Sequence, residues 1–272
     1  MNREKKLKNP VASFILLTNI IFLPLFFLVG AVKLLGFPAW VFDVTLCISA
    51  WSSTFAFGAL FKKIYPGQSF IQFVKDKFKN KLKFSVIFTV SMIQAFIFLM
   101  ILFFVSNNSE ADSIFTTPSW GMLIYYFLKN LLSGPLGEEI GWRSFALMEL
   151  QKKYSPLKAS IIIGFWWGIW HFPIWFTTGY TGMDLIKYIL FFMIAIISTT
   201  IIITTFYNLN QNLTIPITIH LFFNLFIGLI KGNLIDLIMY NAILYIIAAV
   251  LIIVINPKKV LYGKKKMQIL FK

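Results

Sequence analysis

The sequence places two glutamates side by side, Glu138 and Glu139, in the stretch Ser133-Gly-Pro-Leu-Gly-Glu-Glu-Ile-Gly-Trp-Arg-Ser144, in a chain with only ten acidic residues. Proline lacks an amide donor and disfavours helix in the residue before it, so Gly134-Pro135 ends one helix, and a new one is expected near Gly137. Both glutamates then fall in its first turn, where unpaired amides favour negative charge. Arg143, one of only two arginines, follows Glu139 by four residues and can pair with it on one helix face. Glu138 points about 100° away, so the two carboxylates differ in surroundings. Glu139 is held ionised and Glu138 is left to exchange a proton, the arrangement by which acid and base roles are split. A capping pair at a membrane surface would show the same residues, and both readings stay open at this point.

The only two histidines lie downstream. His171 sits in Gly164-Phe-Trp-Trp-Gly-Ile-Trp-His-Phe-Pro-Ile-Trp175, near the middle of an apolar run and surrounded by Trp166, Trp167, Trp170 and Trp175. Ser155 can cap this helix and Pro156 can open it. Pro173 removes a backbone bond and frees the Ile169 carbonyl, widening the helix locally. A histidine in such a place is hydrogen-bonded, metal-bound or facing a water-filled cavity. His220 and Asn224, in Thr214-Ile-Pro-Ile-Thr-Ile-His-Leu-Phe-Phe-Asn224, are four apart on one helix face and present donors suited to an oxyanion. Hydrogen bonding between helices is the plainer alternative for that pair. Helices from Glu138 to about Lys152 and from Pro156 to His171 would be roughly 21 and 22 Å long from the turn, bringing Glu138 level with His171. His220 lies only about 9 Å above Thr214, against about 18 Å from Ala159 to His171. Tilt, or a helix that begins below the membrane surface, is therefore required to bring the two histidines to one depth.

The elements that must position these groups are membrane helices. The 272 residues are 58% hydrophobic and 13% charged, with a mean hydropathy of +0.79, too little charge for a soluble surface of this size. Apolar runs long enough to cross a bilayer predict about eight helices, at 11–35, 39–61, 84–106, 119–134, 159–178, 186–207, 214–231 and 235–255. The net charge of +15 sits between these runs rather than on a separate domain, so it implies contact with the lipid bilayer and no nucleic acid. The segment 62–83 has seven lysines and one aspartate, 152–158 has three lysines, and 107–118 has Glu110 and Asp112 with no basic residue. Positive loops mark the cytoplasmic side, which gives an all-α bundle with both termini inside. The basic start followed by Val11 to Val29 is too long for a signal peptide and is read as a retained first span. The expected organisation is N-terminal helices over 1–118, a core over 119–255 and a basic tail over 256–272. The single cysteine, Cys47, has apolar neighbours that would raise its pKa, so it is not read as a nucleophile.

Glu-Glu-x-x-x-Arg at 138–143, aromatic-x-x-x-His at 167–171 and His-x-x-x-Asn at 220–224 resemble, in order, the motifs of the CPBP family of intramembrane proteases. That family includes type II CAAX prenyl endopeptidases and bacteriocin-processing or immunity (Abi) proteins. The resemblance implies that Glu138 and His171 activate water, that His220 and Asn224 support the oxyanion, and that Glu139 and Arg143 are the orienting pair. Trp167 stands where the second motif often has phenylalanine, and Ser144 where glycine often follows the arginine.

The expected function is thus endopeptidase action on a peptide or membrane-protein substrate in a bacterial plasma membrane, the latter suggested by the Ile-, Lys-, Asn- and Phe-rich composition. Family members are often labelled metalloproteases, and Glu138, His171 and His220 would be the whole ligand supply for a zinc ion. Such a site would leave only Glu139, already paired, as base, so no obligatory metal is expected. A non-catalytic immunity or scaffold protein on the same fold is the alternative reading. A proton-coupled transporter is a third, but it would require inverted repeats with interrupted helices in both halves. The sequence does not specify the oligomeric state.

Overall fold

The computed structural model describes residues 7–108, 115–116 and 119–263. Among them the chain is helical throughout, apart from one isolated β-bridge between Phe115 and Ile230. The helices are α1 (Pro10–Leu34), α2 (Ala39–Ala50), α3 (Ser52–Ile64), α4 (Phe70–Asp76), α5 (Phe84–Asn108), α6 (Trp120–Leu132), α7 (Pro135–Gly141), α8 (Met148–Gln151), α9 (Pro156–Trp170), α10 (Phe172–Trp175), α11 (Gly182–Asn210), α12 (Thr214–Leu229) and α13 (Leu234–Ile255). A π-helical turn, Trp142–Leu147, joins α7 to α8. The chain is a polytopic helical bundle, as its apolar runs require.

Four helices, α1, α5, α11 and α13, are long and apolar enough to cross a membrane, and α2 with α3 forms a span bent by 41°. The expected spans at 119–134, 159–178 and 214–231 are corrected to shorter helices of 13, 15 and 16 residues. Each has a local cause. Gly134-Pro135 ends α6, and α7, the π turn and α8 follow it in the chain. α9 stops at His171, just before Pro173. α12 stops at Ile230, whose backbone turns extended to meet Phe115.

Glycines let these helices approach closely. A Cβ at Gly137 would lie 2.5 Å from the Trp51 ring, and one at Gly141 would lie 2.7 Å from the Ser53 carbonyl oxygen. On α9, a Cβ at Gly164 would lie 2.9 Å from the Ile197 backbone, and one at Gly168 would meet Met193. Both pairs have the four-residue spacing that lets membrane helices touch along one stripe. Ser53 Oγ then reaches the Glu138 carbonyl (3.2 Å) and Thr54 Oγ1 that of Gly137. Phe14 of α1 packs edge-on against Trp142, so the N-terminal helices seat directly on the segment that carries the acidic pair.

The basic segments gather at one end of the bundle. Tyr65 donates to Glu149 at 2.6 Å, and the Asn212 amide donates to the Asn80 carbonyl. Lys83 Nζ donates to the Leu209 carbonyl at 2.9 Å, and Leu157 N to that of Leu261 at 3.0 Å. At this end burial and the neighbouring Glu149 carboxylate push the Tyr65 phenol well above its ordinary pKa, so it stays a donor. Thr116 donates to Leu229 at the opposite end. Glu110, Asp112 and the basic residues at 3–6 and 264–272 lie outside the described residues.

Candidate active site

The helix that carries the glutamates begins two residues earlier than expected. Gly134 is its N-cap and Pro135 its first residue, a position where proline's missing amide costs nothing. The Gly134 carbonyl accepts from Gly137 N at 3.0 Å and from Glu138 N at 2.9 Å. Glu138 thus sits in the first turn and Glu139 just beyond it. Both carboxylates are buried, with Glu138 retaining 4% of its surface and Glu139 none.

Glu139 is clamped from two sides. Arg143 Nε lies 3.2 Å from its Oε2, and both side chains are fully buried. The contact is within ion-pair distance but off the N–H axis. Its Oε1 accepts a bond from His220 Nδ1 at 2.8 Å. The pairing with Arg143 matches the sequence reading; the bond from His220 does not appear in it, because nothing local relates residues eighty-one apart. Arg143 lies in the π turn, an irregularity frequent at functional sites, and its Cζ stands 3.9 Å from the centre of the Trp167 ring.

Glu138 is held by the aromatic residue of the second motif, which the sequence reading placed around His171 and not against the glutamate. Trp167 Nε1 donates to Glu138 Oε2 at 2.7 Å, in a fully protein-enclosed contact. The other oxygen, Oε1, faces the bare side of Gly134. A Cβ there would stand 3.7 Å from Oε1 and 3.0 Å from Asn224 Nδ2. Asn224 follows His220 by one turn of α12, as the spacing predicts, and its amide also borders the bare side of Gly134. That glycine was read only as a helix stop.

His171 terminates α9 rather than lying mid-span, which corrects the expected location. Its backbone N–H turns back to the Gly168 carbonyl at 3.0 Å. This leaves the Trp167 carbonyl to accept from His171 Nδ1 at 2.7 Å. A carbonyl only accepts, so the proton is on Nδ1 and Nε2 is free as a base. Of the four tryptophans expected around it, only Trp167 and Trp170 have rings against His171, at 5.7 and 4.7 Å between centroids. Phe192 of α11 completes the wall at 5.2 Å. Trp166 instead points outward, and Trp175 packs on Phe192.

The depth mismatch between the histidines closes at the same indole. The His220 ring is 4.8 Å from that of Trp167. A helical side chain leans toward its own N-terminus, so Trp167 projects from α9 toward the basic end, below His171, where His220 lies. Glu138 meets Trp167, one turn before the expected His171. Trp167 thereby touches all three motifs. Among the described residues no three His, Cys, Asp or Glu side chains group as metal ligands.

Residues 118–226 match the family model described as type II CAAX prenyl endopeptidase Rce1-like. The chain is also 33% identical over 139 residues to a protein of Methanococcus maripaludis named CAAX prenyl protease 2. That alignment covers 49% of this chain and 51% of the relative, so the match spans about half the length of the curated relative.

Proposed function

We propose that this chain, whose residues 118–226 match the Rce1-like type II CAAX prenyl endopeptidase model, belongs to that protease family and hydrolyses a peptide bond of a membrane-associated or peptide substrate. The observation that carries the reading is that Glu138 Oε1 and Asn224 Nδ2 both border the bare side of Gly134, 3.7 and 3.0 Å from where a Cβ would stand. A buried carboxylate and an amide donor thus border the same glycine.

In this reading Glu138, assisted by His171 Nε2, takes a proton from water. The hydroxide attacks the carbonyl carbon, and the pair of electrons moved onto oxygen is met by Asn224 Nδ2–H and His220. When the C–N bond breaks, the proton held by Glu138 passes to the leaving amine. Glu139 Oε1 holds His220 through Nδ1 at 2.8 Å, and Arg143 lies against the other oxygen of Glu139 at 3.2 Å. No step runs through a metal. The half-exposed positions of Asn224 and His171 leave the space open on their side. The enzyme is expected in the plasma membrane of a bacterium, with the basic end in the cytoplasm.

The test is cleavage of a peptide panel, including prenylated C-terminal peptides, by the protein in detergent. Wild type is expected to cleave at least one peptide and Glu138→Gln none. Equal cleavage by both would refute the assignment. Lasting loss of activity with a chelator, restored by zinc, would overturn the metal-free step. If both substitutions Glu138→Gln and His171→Ala leave the cellular phenotype intact in a folded protein, the immunity or scaffold reading is correct instead.

A further inference from the structure

We infer that Trp167 is a positioning residue, whose indole N–H fixes one oxygen of Glu138 so that the other faces the reacting space. The inference rests on the proposed role of Glu138 as the base. Among the described residues, the Trp167 bond at 2.7 Å is the one side-chain hydrogen bond that Glu138 receives. A buried carboxylate without donors is costly, so its orientation follows this donor. With Oε2 occupied, the free Oε1 is the one beside Gly134 and Asn224.

The indole is itself immobilised. Arg143 Cζ stands 3.9 Å from its ring centre, a favourable cation–π position. His220 meets the ring edge-on at 4.8 Å, and the Trp167 carbonyl is tied to His171 Nδ1. Trp167 is fully buried. The N–H direction is therefore set by the same groups that form the rest of the site. Phenylalanine, which often stands at this position in related motifs, would fill the space and stack on Arg143 but could not donate.

The test compares wild type, Trp167→Phe and Glu138→Gln. Trp167→Phe is expected to lower kcat about tenfold with KM within twofold, at an unchanged unfolding midpoint. An unchanged kcat, with Glu138→Gln inactive, would overturn the role of Trp167 and leave the proposed function standing. Full activity of Glu138→Gln would instead overturn the function itself. A second measurement needs neither activity nor a folded Trp167 variant. With the eight tryptophans labelled at the indole nitrogen, one N–H resonance is expected to move upfield on Glu138→Gln, as a charged acceptor becomes neutral. No moving indole signal would overturn the inference.

Discussion

The chemistry rests on a few atoms, and the substitutions that test it are small. Asn224→Ala should lower kcat by about 10²–10³, the usual loss for one oxyanion donor, with little change in KM. Gly134→Ala makes a sharper claim. Its methyl would enter the space between Asn224 Nδ2 and Glu138 Oε1, 3.0 Å from the former. Cleavage should fall at least tenfold while unfolding in detergent is unchanged; full activity would show that the reacting carbonyl does not lie there. The residue pattern made Glu138, Glu139, Arg143, His171, His220 and Asn224 legible, since charged or polar groups in apolar helices stand out. It did not show how they connect. Glu139 to Arg143 is a local spacing, but Glu139 to His220 and Trp167 to Glu138 depend on where separate helices come to rest.

Among the elements, start and stop signals were readable because they are local. Ser155 Oγ accepts from Lys158 N and Pro156 opens α9, as the sequence implies. The π turn at Trp142–Leu147 was not readable, because no residue type marks it. The glycine stripes were readable but unread. They give a stability prediction: Gly141→Ala puts a methyl 2.7 Å from the Ser53 carbonyl oxygen, a clash with backbone that cannot swing away. It should destabilise the protein by about 1–3 kcal/mol, seen as a lowered unfolding midpoint in detergent. Gly30→Ala, where a Cβ meets nothing within 4 Å, should be neutral or slightly stabilising. Equal effects from the two would show that the α3–α7 contact is not tight. α6 is different, since it contributes no buried residue. It is tied to α2 by Lys129–Asp43 at 2.7 Å, by Tyr125–Asp43 and by Trp51 Nε1 to the Leu132 carbonyl.

For the whole molecule, hydropathy and charge carried most of the information. A composition with 58% hydrophobic residues leaves a helical membrane bundle as the fold. The clustering of lysine-bearing segments at one end agrees with the charge pattern along the chain. By the positive-inside rule that end is proposed to face the cytoplasm. In a Cys47→Ser background, a membrane-impermeant thiol reagent should label Lys153→Cys only in inverted vesicles, and labelling from the outside would reverse the topology. The substrate was not legible, because specificity lies in shape and contacts that no motif encodes. The central claim, that this bundle hydrolyses peptide bonds through Glu138, is tested most directly by mapping new peptide termini in membranes of cells expressing wild type or Glu138→Gln at equal levels. The account predicts termini present with wild type and missing with the variant; identical sets of termini would contradict it.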